Sequence, residues 1–345
     1  MFKRALILAP VLFSSAVLAT ACSAPPPAAP PPAPAPAAPV GVGQITRKTP
    51  AFNELVAETA IIEKVAGGFQ FTEGPLWRPD GTLWFSDVVG NVLRSVTPDG
   101  TVKVLIEHAA GHSTAPAGSY IGPNGLVADK DGTVLMVQHF NRQIVRVAAD
   151  LSTSVYLDKF EGKRFNSPND PVFHSNGTLY FTDPPYGLVK QDADPAKELK
   201  FNGVFKYTNG KLTAIIRDLT RPNGVALSPD EKTLYVTNSD EKNKVVMAYD
   251  VAADGTVSKG RVFSDMTKEP GAGLPDGIKV DERGNVYSTG PGGVWVFSAD
   301  GTHLGTIQAP EAAANVGWGD ADGKTLYITA ETGIYKIKLN VRGKI

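Results

Sequence analysis

Glu73-Gly74-Pro75-Leu76-Trp77, running into the turn Pro79-Asp80-Gly81, is the first of six related segments. Glu73 stands eight residues before Gly81, and Asn124, Asn169, Asp276 and Asn315 stand eight before Gly132, Gly177, Gly284 and Gly323. Asn223 joins them ahead of Ser228-Pro229-Asp230-Glu231-Lys232, the same hairpin turn with one extra residue. Units repeated in this way mark a solenoid or a propeller. In the first unit, residues 76–77, 82–86, 92–96 and 102–106 read as four strands joined by Asp-Gly turns, the signal of a β-meander. The sixth unit supplies residues 325–329 and 333–339 and then stops, one strand short. Residues 60–66, with Ile61, Ile62 and Val65, can fill that gap and remove an exposed sheet edge. An all-β, six-bladed β-propeller over residues 46–345, its ring closed by the N-terminal strand, is therefore predicted, with a short helix within residues 51–58.

The chain has 345 residues, 42% of them hydrophobic and 20% charged, enough to bury a large single core. Its net charge of −1 offers no basic surplus for nucleic acid. Residues 1–21 carry Lys3 and Arg4, a short apolar run and the small-residue end Ala19-Thr20-Ala21, the pattern of a secretory signal peptide. Cys22 follows as the one cysteine of the chain. Two outcomes are open there: lipidation, as in a bacterial lipoprotein box that here has Ala19 where leucine is usual, or ordinary cleavage after Ala21. Nine of the fifteen residues 25–39 are proline and the rest alanine, a stalk of about 45 Å if extended as polyproline. Residues 22–45 thus form a lipid-anchor candidate and linker, and the expectation is an exported protein, periplasmic or tethered to a membrane.

In a propeller the second strand of each blade returns to the face where the first begins. The six repeat positions Glu73, Asn124, Asn169, Asn223, Asp276 and Asn315 should therefore share one mouth with the ends of the second strands: Asp87, Gln138-His139, Asp183 to Tyr186, Asn238-Ser239 and Gly290. Each Asx-Gly pair alone is an ordinary turn former. An oxygen-bearing side chain at all six positions points instead to a hard divalent cation, most simply calcium, which takes six to eight oxygens including neutral carboxamides. Glu73 and Asp276 are the two anions of the ring.

Four of these motifs carry a resemblance. Glu73-Gly-Pro-Leu-Trp, Ser167-Pro-Asn169-Asp170, Arg221-Pro-Asn223-Gly224 and Leu274-Pro-Asp276-Gly277 occur in an order that resembles the senescence marker protein (regucalcin) and gluconolactonase family, and Tyr180-Phe-Thr-Asp183-Pro-Pro-Tyr186-Gly187 is similar to its bacterial members. The resemblance covers roughly residues 50–340. It implies a divalent cation held by Glu73, Asn223 and Asp276, a substrate-facing Asn169 close to that cation, Asp276 as the proton-transfer residue, and sugar lactones as substrates. Some members bind substrate with an arginine where this chain has Ser167. Asn124, His139, Asn169 and Asp183 are candidate substrate contacts, and Asp170 or Asp183 could share the proton-transfer role. Hydrolysis of other activated esters or phosphotriesters, and a non-catalytic binding propeller, remain as rival readings. Gly111-His112-Ser113-Thr114-Ala115 lacks the strand-turn-helix setting of a nucleophile elbow and reads as a loop over the mouth.

Overall fold

Alternating apolar residues in short runs between Asp-Gly turns leave little choice but antiparallel sheet, and the computed structural model, which describes residues 40–258 and 260–344, is built of such sheets. The predicted signal, Cys22 and the Pro/Ala-rich stretch lie outside the described residues. Six sheets of four or five strands, the blades, follow one another along the chain, with a two-stranded ribbon of Lys159–Phe160 and Lys163–Arg164 between the second and the third. The first joins Thr72–Trp77, Leu83–Asp87, Val92–Val96 and Val102–Glu107, the fourth Pro222–Leu227, Thr233–Asp240, Asn243–Asp250 and Arg261–Asp265. The first strand of every sheet packs beside the first strands of the sheets before and after it, and Ala313–Gly319 of the last packs beside Thr72–Trp77 of the first. The ring is closed, and the fold is the six-bladed β-propeller predicted.

Closure is by the early strand. Ile62–Gly67 pairs antiparallel with Gly333–Lys338, with Ile62 opposite Ile337, as the outermost strand of the sixth blade. A four-residue helix, Phe52–Leu55, precedes it and buries Phe52 and Leu55 in the core between the fifth and sixth blades. One element was not foreseen: Gln44–Arg47 adds a fifth strand to the fifth blade, Ile45 opposite Ile307. This strand straddles the boundary placed at residues 45 and 46. The blades are cemented by side chains from adjacent sheets: Leu135, Val137 and Ile144 of the second share one core cluster with Phe181 and Phe205 of the third, which stack at 5.2 Å with Phe165 edge-on to both. Burying each such ring contributes about 2–3 kcal/mol.

Two devices aim the repeat positions at the axis. First, the pairing of the inner strand with the second slips at the motif, between Glu73 and Leu76, Pro123 and Leu126, and Pro222 and Val225; a bulge of this kind redirects a side chain. Second, hydroxyls on the second strands reach into the next blade. Ser86 donates to the Asn124 carbonyl at 2.6 Å, Thr182 to that of Asn223 at 2.5 Å and Thr237 to that of Asp276 at 2.6 Å. The glycine after the repeat position serves the same close packing. A Cβ at Gly224 would stand 2.2 Å from the Asp276 carbonyl oxygen, and one at Gly125 2.4 Å from that of Asn169, so neither site accepts a larger residue without moving the neighbouring blade.

Candidate active site

Glu73, Asn124, Asn169, Asn223 and Asp276 line one cavity of about 420 Å³ on the face where the inner strands begin. His139, Tyr186 and Ser239, from the ends of second strands and the loops after them, line it as well. The sixth repeat position acts from the side: Asn315 is buried, accepts the Val316 amide at 2.8 Å and donates Nδ2 to Glu73 Oε2 at 2.9 Å. The Gly74 amide donates to the same Oε2 at 2.7 Å. A second chain of bonds crosses the floor. Asn169 Nδ2 donates to Asn223 Oδ1 at 2.7 Å, Asn223 Nδ2 donates to Ser239 Oγ at 2.9 Å, and Ser239 donates onward to the carbonyl of Pro275, next to Asp276. The Asp276 amide is itself fixed by donation to Thr289 Oγ1 at 2.9 Å.

The sequence and the propeller that carries this cavity have counterparts among known proteins. The sequence profile of the SMP-30/Gluconolactonase/LRE-like region matches residues 71–332. The chain belongs to the SMP-30/gluconolactonase family. It is 37% identical to a gluconolactonase of Zymomonas mobilis over 313 residues, 88% of each chain. A solved gluconolactonase structure from Xanthomonas campestris superposes with a TM-score of 0.77 at 32% identity, covering 88% of this chain and 97% of that one. A calcium-binding regucalcin from Agrobacterium tumefaciens shares the fold, with a TM-score of 0.62 at 19% identity over 81% of this chain and 96% of its own.

In this SMP-30/gluconolactonase family member the electrostatics of the ring are unbalanced. Burial pushes the Glu73 carboxyl up, and burial together with the negative charges of Glu73 and Asp170 pushes Asp276 well above the usual carboxylate range. Two such carboxylates resist sharing a site without a counter-charge. The donor chemistry fits a hard divalent cation: two anionic groups, the Asn169 and Asn223 carboxamides beside them, and no sulfur or imidazole in the ring. Among the described residues no three His, Cys, Asp or Glu side chains gather to hold a metal, so carboxamides must complete any such set.

His139 lines the cavity in a defined neutral form. Its Nδ1 lies 3.2 Å from the Tyr120 carbonyl and its Nε2 3.3 Å from Asn124 Nδ2, so Nδ1 carries the proton and Nε2 accepts from the carboxamide. Burial lowers its pKa to about 4. His139 thus orients Asn124, whose Oδ1 is buried without a hydrogen-bond partner and is left to receive one. The Tyr186 hydroxyl is equally buried and unpartnered; burial and the charge of Asp276 raise its pKa, which keeps it a donor.

Asp183 does not reach the cavity. Its oxygens accept the Asn166 and Ser167 amides at 2.8 Å each, and burial raises its pKa to about 7. The matching residues of other blades do likewise: Asp87 accepts the Gln70 and Phe71 amides at 3.1 Å, and Asn238 accepts the Arg221 amide at 2.7 Å. Asp183 therefore shapes the turn that delivers Asn169, and its recurrence in register was the available signal. Asp170 occupies the place of the recurring glycine. It accepts the Val225 amide at 3.1 Å and pairs with Lys279 at 3.6 Å, and it does not line the cavity beside Asp276. Phe71, Tyr120, Gln191, Leu274 and Glu331 line the cavity and were not foreseen; they come from connections between blades and from one tight hairpin, which the repeat pattern does not place.

Proposed function

We propose that this protein hydrolyses lactones of the sugar-acid type with the support of a divalent cation, most simply calcium. The observation that carries the reading is the meeting of Glu73 and Asp276, the only anions of the six repeat positions, in one cavity with Asn169, Asn223 and Asn124, in a chain 37% identical to a gluconolactonase. Glu73, Asn223 and Asp276, with Asn169 beside them, would hold the cation. Bound there, it would supply Lewis-acid polarisation of an ester carbonyl.

The chain's own residues supply the rest. Asp276 accepts the proton of the attacking water, as the carboxylate that lines the cavity beside Asn223 and Glu73. Attack forms a bond from the water oxygen to the carbonyl carbon. The ring C–O bond then breaks and the proton returns to the leaving alkoxide, giving the open hydroxy acid. Asn124, held by His139, offers Oδ1 to a substrate hydroxyl, and Tyr186 offers its hydroxyl as a donor. Export, with Cys22 as a lipid anchor and residues 25–39 as a stalk, belongs to the same proposal, supported by the residue pattern of 1–39; a Cys22→Ala variant that fractionates and migrates as the unmodified protein would remove the anchor. The functional test is turnover of a panel of lactones, aryl esters and phosphotriesters by the full-length protein, with chelator and with calcium, magnesium, manganese or zinc added back. Turnover confined to lactones and dependent on the added cation is expected.

A further inference from the structure

The lining of the cavity holds three carboxylates, Glu73, Asp276 and Glu331, and neither lysine nor arginine. Its one histidine is neutral near pH 7. Two cations stand behind the wall and are already engaged: Arg221 pairs with Asp192, and Lys279 with Asp170. A divalent cation offsets Glu73 and Asp276 but leaves Glu331 uncompensated. Among the described residues no ion pair takes up the Glu331 carboxylate. It is an exposed charge at the mouth, facing Tyr120, whose pKa it helps to raise.

The backbone at Glu331 is held in place. Glu331 and Thr332 form a two-residue turn between the paired Ala330 and Gly333, and Glu331 has φ of 35°, a region that favours glycine. Its carbonyl is tied down by the Thr72 amide at 2.8 Å, one residue before Glu73, and Thr332 is tied to Glu311 through its amide and hydroxyl, each at 2.7 Å. With its backbone fixed in this way, Glu331 lines the mouth of a cavity in which the nine-tenths-buried Asn124 leaves Oδ1 unpartnered.

Resting on the lactonase reading, we propose that Glu331 is a specificity-determining residue that selects uncharged, hydroxyl-bearing lactones. Its carboxylate accepts hydrogen bonds from substrate hydroxyls at the mouth and repels lactones that carry a carboxylate or a phosphate.

The test compares kcat/KM for a glucono-lactone with that for the same lactone phosphorylated on its primary hydroxyl, at saturating cation, for the unmodified protein and for Glu331→Gln, Glu331→Lys and Glu331→Gly. The preference for the neutral substrate is expected to fall ~3-fold in Glu331→Gln and ~10-fold in Glu331→Lys, the scale of one and two charge units at a solvated mouth. The preference should also shrink with added salt in the unmodified protein and lose that dependence in Glu331→Gln. Glu331→Gly should match Glu331→Gln in selectivity with an equal or higher Tm, because the strain is relieved; a lowered Tm with unchanged selectivity would make the residue structural and overturn the inference. A preference within about twofold of the unmodified value in all three variants also overturns it while leaving lactone hydrolysis standing. If the unmodified protein turns over no lactone, both fall.

Discussion

Asn315 of the last blade donates Nδ2 to Oε2 of Glu73 in the first, at 2.9 Å and across 242 residues of chain. The seam where the ring closes is thus also the place where one of its two axial carboxylates is held. Asn315→Ala removes that donor and leaves a buried carboxylate one hydrogen bond poorer, at a cost of about 1–3 kcal/mol. The expected outcome is a lower Tm together with weaker calcium binding by titration calorimetry. Unchanged cation affinity would separate the seam from the site.

The closing strand should matter to the whole fold. Ile62 is 1% exposed and stands opposite Ile337, so Ile62→Ala should destabilise by about 2–4 kcal/mol in urea unfolding. A half-buried position of the same strand, Glu63, makes only a surface ion pair with Lys336 at 3.9 Å, and Glu63→Ala should cost less than ~1 kcal/mol.

Asn124 and Asp183 should separate into a binding role and a structural one. Asn124→Ala removes the unpartnered oxygen from the cavity and should lower kcat/KM by ~5–100-fold, the range for one substrate hydrogen bond. Asp183→Asn sets an NH2 group against a backbone amide and should lower Tm by the equivalent of about 1–3 kcal/mol. The reverse pattern, with Asp183→Asn raising KM at constant Tm, would return Asp183 to the substrate.

His303, remote from the cavity, sets a pH dependence of stability. Its ring stacks on Trp295 at 3.9 Å, and burial, with Lys48 nearby, lowers its pKa from 6.5 to about 4. As pH falls below 6.5 the unfolded chain takes up the proton first, so stability is lost between pH 6.5 and about 4. Measured against His303→Gln by urea unfolding, the unmodified protein should lose stability over that window and run parallel to the variant above pH 7.

The ring was legible because a fixed eight-residue spacing links each repeat position to its hairpin glycine, and a shared register needs no knowledge of tertiary contacts. The same logic exposed the missing strand of the sixth blade. Gln44–Arg47 escaped because four residues with every second one half-buried make a weak period-two signal at an outer edge. Asp183 misled because a carboxylate after a strand near Asn169 looks the same whether it faces the cavity or folds back onto the Asn166 and Ser167 amides. Tyr120, Gln191 and Glu331 come from segments whose direction is decided by distant partners, as Glu331 is by Thr72.

The most direct test is the initial rate of glucono-lactone hydrolysis by full-length protein, chelated and then reloaded with calcium, alongside Asp276→Asn treated identically. The expected result is loss of turnover on chelation, recovery on reloading, and at least ~100-fold lower turnover in the reloaded variant. Equal rates with and without the cation, or full activity in Asp276→Asn, would contradict a site built on the meeting of Glu73 and Asp276.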